Sequence, residues 1–412
     1  LRRPSARRKI PFAMPSDGHN LYTRLMRPLL FQFDPETAHR LTIAILSLAP
    51  PLRCVSDSAE LATTVFGMRF ANPVGLAAGV DKDARALAGW RALGFGFAEL
   101  GTVTPRPQPG NALPRMWRLR ANRALINRLG FPGEGMEAAA ARLQRTVSLR
   151  VTRTRNDTNP AMRIALNFGP NKDTPPERVA EDYAALTRRL APFADLIVVN
   201  LSSPNTPGLR EWQAPERMRA IVEAVRAALP AATTAGRRRP PILVKIAPDL
   251  EPPQLSAVCA MALDLAREFK GSGGDDASVI KDDGGLEGEC DRHGDIGIVA
   301  TNTTLKRDEV GVSAAFEGGL SGAPLLARTR EVIAQAYRET HGRIPIIGVG
   351  GIASAEDAYG HIRAGASLVE FYTGMIYRGP GLAREIKRGL VRLLARDGFR
   401  SISEAVGSAS IR

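Results

Sequence analysis

A chain of 412 residues with 44% hydrophobic and 24% charged residues has an ordinary globular composition and room for one domain of ~250–300 residues plus a smaller appendage. Its net charge of +14 raises a nucleic-acid partner, but the excess sits in clusters (Arg2 to Lys9, Arg142 to Arg155, Arg237 to Arg239) without interleaved aromatics, which leaves solvated surface or attraction to anionic headgroups. Three cysteines and five histidines share no metal-ligand spacing, so no metal is expected, a disulfide framework and an advertised Ser-His-Asp triad are excluded, and the chemistry is expected to borrow a cofactor.

Residues 1–19 read as a basic, disordered N-terminal segment. The part before Met14 has the Arg-rich, acid-free look of a targeting segment, or of an upstream extension, and is set aside from the fold. Residues 20–52 read as two short helices. In the first, Leu21, Tyr22, Leu25, Met26, Leu29 and Leu30 recur at helical spacing. The second opens with Asp34 as N-cap and Pro35 at the first helical position, after which Ala38, Leu41, Ile45 and Leu48 repeat along one stripe. Such a pair either faces a membrane or docks wholly on the main domain; the pattern leaves both open. No apolar run reaches the ~18–20 residues of a membrane span, since "LTIAILSLAPPL" is broken by Pro50 and Pro51.

From residue 53 to 412, apolar runs with β character recur at 72–79, 97–103, 162–169, 195–202, 241–248, 297–303, 345–351 and 367–374. Helical periodicity separates most of them. Continuously apolar strands alternating with helices predict a closed parallel (β/α)8 barrel, a TIM barrel of the α/β class. Residues 271–295, rich in Gly and Asp and aperiodic, read as a flexible insertion at the end of the barrel away from the site; the Arg-rich stretch 145–160 is a milder case.

Active sites of such barrels lie at the C-terminal ends of the strands. Those ends carry two lysines, Lys82 and Lys245, together with Thr102, Asn167, Asn200, Ser202, Ser203, Asn205, Thr301, Asn302 and Thr303. That set suits a polar, anionic, planar ligand. "GVGG" and "YTG" at the last two strands, with "GGLSG" before them, form a candidate phosphate cradle in which glycine lets backbone N–H groups approach.

These motifs, "NPVGLAAGVDKD", "GTVTPRPQPGN", "LINRLGF", "VVNLSSPNTPGLR", "LVKIAPDL", "ATNTT", "GGLSGAPL" and "IIGVGGI", resemble those of the class 2, quinone-dependent dihydroorotate dehydrogenases over about residues 20–410. The resemblance implies one FMN per chain, oxidation of (S)-dihydroorotate to orotate in pyrimidine biosynthesis, and a membrane quinone as final acceptor. It places FMN against Ala78, Gly79, Val80, Asp81, Lys82 and Thr102. Asn167, Asn200, Lys245 and Thr301 would hold its ring and ribityl chain, and Gly322, Gly351, Tyr372 and Thr373 its phosphate. Dihydroorotate would meet Lys82, Asn127, Arg128, Leu129, Gly130 and Phe131, and also Asn200, Asn205, Asn302 and Thr303.

Ser203 is implied as the base for the C5 proton, with Thr206 and Phe131 around a relay water, and the C6 hydride would pass to the flavin. Ser202 reads instead as a strand-end hydroxyl capping the loop backbone. His39, Arg118 and Tyr372 would face the quinone at the end of a tunnel formed by the two N-terminal helices. Deleting residues 14–50 is then expected to abolish quinone reduction and spare flavin binding. Pro132, where the family often has asparagine, puts one substrate hydrogen bond in doubt. The implied setting is a monomer on the cytoplasmic face of a bacterial inner membrane, or alternatively a mitochondrial inner membrane, with no nucleic-acid partner. The rivals are a class 1 enzyme using fumarate or NAD, against which Ser203 and the N-terminal helices argue, and a basic nucleic-acid-binding protein.

Overall fold

The computed structural model describes residues 21–49, 57–151, 162–206, 208–230, 238–271, 294–307, 310–311 and 316–410. The readings for residues 1–19, most of 271–295 and most of the stretch 145–160 therefore lie outside the described residues.

A π-helical turn (Tyr22–Met26) runs into α1 (Arg27–Leu30), and α2 (Pro35–Ser47) follows. Asp34 caps α2 as the sequence predicts, its Oδ1 accepting from the amides of Glu36 and Thr37 at 3.1 and 3.0 Å. The stripe that packs inward is not the one read from spacing. Ala38 and Ile43 are buried, whereas Leu41 (43%), Ile45 (59%) and Leu48 (83%) face outward with Leu21, Leu25 and Leu29. Of the two placements that spacing leaves open, full docking on the main domain does not match: the pair leaves one apolar face uncovered.

A hairpin of β1 (Thr63–Val65) and β2 (Met68–Phe70) comes next. It turns through Phe66 and Gly67 at positive φ, the conformation that matches the twist of its strands. The barrel strands are β3 (Val74–Leu76), β4 (Phe97–Val103), β7 (Arg163–Phe168), β8 (Leu196–Asn200), β9 (Ile242–Ile246), β10 (Ile296–Ala300), β12 (Ile346–Val349) and β13 (Leu368–Phe371). They close in chain order as a parallel barrel, β13 pairing with β3. All eight coincide with the predicted runs. Helices cover the outside, as α3 (Leu87–Leu93), α4 (Gly135–Val151), α5 (Val179–Leu190), α6 (Pro215–Ala228) and α7 (Pro252–Gly271). The ring is completed by α8 (Leu326–Glu339), α9 (Ala355–Ala364), α10 (Thr373–Arg378) and α11 (Leu382–Asp397).

The hairpin plugs the N-terminal end of the barrel. Phe66 and Phe70, both fully buried, pack against Phe97, Leu243, Val299 and Leu368 in the interior. At the opposite end a three-stranded antiparallel sheet stands over the mouth: β5 (Met116–Leu119), β6 (Ala124–Asn127) and β11 (Gly319–Gly322). The plug leaves only the C-terminal mouth open, and the sheet forms one wall of it.

Candidate active site

The loop after β8 carries the motif "LSSPNT". Asn200, the last residue of β8, donates from Nδ2 to Thr102 Oγ1 at 3.0 Å and Asn167 Oδ1 at 3.3 Å. Its own Oδ1 accepts from Asn302 Nδ2 at 3.2 Å and from Ser202 Oγ at 3.1 Å. Ser202 is therefore structural, through side chains as well as through the backbone contact of its amide with Asn200 Oδ1. Ser203 is almost fully buried, yet its side chain lines the cavity beneath the mouth. Its Oγ accepts from the Asn205 amide at 3.3 Å, and among the described residues no carboxylate or imidazole is hydrogen-bonded to it.

Arg210 pins this loop. It donates to the carbonyls of Ser202 (3.2 Å) and Thr303 (2.9 Å) and pairs with Asp249 at 2.8 Å. Asp249 in turn accepts from the Leu305 amide at 3.0 Å and from the Thr304 hydroxyl. The loops after β8 and β10 are thus tied together through Arg210 and Asp249. Arg210 closes the motif in sequence but was assigned no role there.

The polar cavity is walled by residues from most strands and, counted with its open mouth, spans about 1090 Å³. Ala78, Gly79, Lys82 and Thr102 line it on one side, and Asn200, Ser203, Asn205 and Lys245 on another. Asn127, Leu129, Gly130 and Phe131 contribute from the β5–β6 side, and Thr301, Asn302 and Thr303 from the β10 loop. Gly322, Gly351, Tyr372 and Thr373 close the far end.

Two buried polar atoms in these walls, Asn205 Oδ1 and Thr303 Oγ1, have no partner among the described residues, and such atoms call for a ligand that bonds them. Lys82 gives one hydrogen to the Gly79 carbonyl at 3.0 Å. Burial lowers its pKa while Asp83 and Glu36 oppose that shift, so an anion beside it would restore the charged form. At Gly351 (φ +77) a Cβ would stand 2.4 Å from Leu326 Cα, and at Gly322 (φ +101) it would stand 2.4 Å from the Arg123 carbonyl. Only glycine fits these turns. His361, which burial holds neutral with a pKa of about 3, bonds the Gly350 carbonyl from Nε2 at 2.9 Å and braces the same turn.

Five predicted residues stand outside the cavity wall. Asn167 lies just beneath it in the asparagine network. Thr206 is buried three residues after Ser203. Asp81 spends its carboxylate on the amides of Arg85 (2.8 Å) and Ala86 (2.9 Å) and on Trp90 Nε1 (3.0 Å), which shapes the loop after β3. Arg128 turns away to Glu317 at 3.1 Å, and Val80 faces the second cavity. Near Pro132 the loop is held by Gln108, whose Nε2 donates to the carbonyls of Gly130 (3.1 Å) and Phe131 (3.0 Å).

The second cavity is apolar and of similar size, about 1070 Å³. It lies between the N-terminal helices and the barrel, lined by Tyr22, Phe31, Ile43, Leu46 and Met375 among others, with His39 and Arg118 as its polar points. Tyr372, Met116 and Leu125 line both cavities and so form the wall between them. His39 Nδ1 meets the Tyr372 hydroxyl at 3.2 Å. Desolvation, with repulsion from Lys82, brings the His39 pKa to about 3. Arg118 donates to the Phe33 carbonyl at 2.8 Å and lies 4.6 Å above the Phe31 ring.

The family model for dihydroorotate dehydrogenase matches residues 60–267 and 289–394. The chain belongs to the dihydroorotate dehydrogenase family. It is 46% identical to the "Dihydroorotate dehydrogenase (quinone)" of Acidithiobacillus ferrooxidans over 396 residues, covering 94% of this chain and 99% of the relative. It is 47% identical to the protein of that name from Roseiflexus over 393 residues, covering 93% and 97%. Among solved structures, DHODH from Eimeria tenella in complex with ferulenol is 35% identical, with a TM-score of 0.79 over 92% of this chain and 96% of that one. As a dihydroorotate dehydrogenase the chain carries three features not read from its sequence: the partition residues Met116 and Leu125, the Arg210–Asp249 clamp, and Ser321, whose hydroxyl meets that of Thr373 at 2.9 Å. Met116 and Leu125 lie in four-residue strands too short to leave a periodic signal.

Proposed function

We propose that the chain oxidises dihydroorotate to orotate in its polar cavity and passes the electrons to a quinone in its apolar cavity, with FMN bound between them. The observation that carries this reading is the pair of cavities of opposite polarity sharing the Tyr372 wall. A hydrolase or lyase needs only one of them.

The residues present fit FMN. The glycine turns at Gly322 and Gly351, where a side chain would collide, suit a phosphate beside Thr373. The neighbouring network of Thr102, Asn167 and Asn200 suits ring amides, with Ala78, Gly79 and Thr301 alongside. Bound FMN supplies the hydride acceptor that gives up its electrons to the quinone. The unpartnered Asn205 Oδ1 and Thr303 Oγ1, with Asn127 and Asn302, would bond the dihydroorotate ring, and Lys82 its carboxylate.

Ser203 Oγ would take the C5 proton. A serine hydroxyl is a weak base, so its own proton must leave as it acts, and Thr206 and Phe131 would flank that route. Lys245 would offset negative charge near the flavin's pyrimidine end. His39, neutral and bonded to Tyr372, would hydrogen-bond the quinone head together with Arg118.

The uncovered apolar face of the N-terminal helices supports peripheral membrane binding. Among the described residues no helix is long and apolar enough to cross a membrane. The bacterial relatives favour the cytoplasmic face of an inner membrane. The test is dihydroorotate oxidation by detergent-solubilised protein offered a short-chain ubiquinone, fumarate or NAD as sole acceptor. Turnover with quinone alone is expected; turnover with fumarate or NAD alone would overturn the role given to the apolar cavity.

A further inference from the structure

The barrel interior is built in layers, because side chains two residues apart on a strand point to the same face. Phe97, Ala165, Leu243 and Leu368 belong to the hydrophobic plug. Two residues further along the same strands come Glu99, Asn167, Lys245 and Glu370, between the plug and the polar cavity. Glu99 and Glu370 are both fully buried.

Glu99 is well supplied with donors: Oε2 accepts from Lys245 Nζ at 2.7 Å and Oε1 from Asn167 Nδ2. No donor among the described residues reaches either oxygen of Glu370, and the buried Glu99 carboxyl shares its layer of the barrel interior, two residues beyond Phe97 as Glu370 is beyond Leu368. One lysine can compensate one buried carboxylate. A second anion here would have neither counter-charge nor donor, at a cost far above that of keeping a proton. As a neutral acid, Glu370 has an O–H to give, and Glu99 can accept it.

We propose that Glu370 and Glu99 share a single proton in the layer beneath the flavin site, carried by Glu370, which donates it to Glu99 and so acts as a positioning residue for Lys245. The layer is then electrically neutral, with Glu99 fixed between three donors. Lys245, which also lines the polar cavity, is held at a set position. The direction of each titration agrees: burial and the neighbouring Glu99 raise Glu370 well above the usual range. Burial pushes Glu99 up too, but Lys245 and the hydrogen bonds outweigh it and hold Glu99 low. The positioning role rests on the flavin reading above; the shared proton does not.

Infrared difference spectra of the purified full chain and its Glu370→Gln variant test the proton directly. The band of a protonated carboxyl, absent from the variant, is expected; identical spectra in the acid region would overturn the proposal. Stability against pH gives an independent reading. A carboxyl whose folded pKa is raised takes up a proton on folding, so wild type weakens as pH rises from the unfolded value (~4.3) toward the folded one. The folding constant of Glu370→Gln relative to wild type should grow about tenfold per pH unit over that window, and a flat ratio would contradict the shared proton. With FMN bound, the amide of Glu370→Gln still donates to Glu99 and should keep the flavin spectrum and potential, while Glu370→Leu should shift both. Matching spectra and potentials for the two variants would overturn the positioning role. Failure of the flavin reading would show separately, as no flavin bound by any of the three proteins.

Discussion

At the scale of single residues, the site is marked by groups whose needs the chain does not meet by itself. Thr303 Oγ1 and Asn205 Oδ1 are buried without a partner among the described residues, and each such group lowers stability by about 1–3 kcal/mol. Thr303→Val should therefore leave the free protein as stable as wild type, or up to about 1 kcal/mol more stable. The same change should raise the KM for dihydroorotate roughly ten- to a hundredfold, the worth of about 1.4–3 kcal/mol of lost hydrogen bonding. Denaturant midpoints and initial rates check the two halves, and a stability loss with unchanged KM would mark Thr303 as a purely structural residue. Sequence alone exposed the residue types here because strand ends fall at known places in a barrel. It did not show which atoms lack partners, since Asn302 and Asn205 look alike until the network around Asn200 is built.

At the scale of elements, legibility followed burial. The eight barrel strands are covered on both faces, so each leaves a continuous apolar run, and all eight were readable. The sheet of β5, β6 and β11 was not: its strands are four residues long, and Leu320 finds its partner Ile126 far away in sequence. The stripe of Ala38, Leu41, Ile45 and Leu48 is legible from spacing, but spacing alone leaves open whether the barrel or a membrane covers it. That face makes physical sense only when a further apolar surface is added. The N-terminal pair is tied to the barrel by Arg115 on the turn into β5, which grips Glu36 of α2 at 2.6 and 2.9 Å. Arg115→Ala should cost about 1–3 kcal/mol, since the pair is mostly buried. The hydrogen bond from Arg115 leads the groups that hold Glu36 below its usual range. The pair's contribution is thus present above the unfolded glutamate pKa and lost as pH falls through the folded one. The deficit of the variant, followed by urea unfolding, should shrink below about pH 4; a deficit independent of pH would mean that Glu36 contributes no charge to the contact.

At the scale of the whole molecule, the barrel offers two cavities of opposite chemistry with a shared wall of Tyr372, Met116 and Leu125, and in the proposed reading each takes its own ligand. Eight of the ten large apolar side chains left exposed in the described chain belong to residues 21–48, whose helices line the apolar cavity, and on the proposed membrane-bound reading a quinone would enter there without crossing water. Leu25→Asp with Leu41→Asp should abolish co-sedimentation with anionic vesicles while leaving turnover of a short-chain quinone in detergent; undiminished vesicle binding would assign the face another partner. The division of labour between the cavities is tested most directly by anaerobic rapid mixing, which follows flavin reduction by dihydroorotate and flavin reoxidation by quinone as separate steps. Ser203→Ala should slow reduction by about 10²–10⁴-fold and leave reoxidation unchanged, and His39→Ala should slow reoxidation alone. Reduction of the Ser203→Ala flavin at the wild-type rate, or loss of both steps in either variant, would contradict the account.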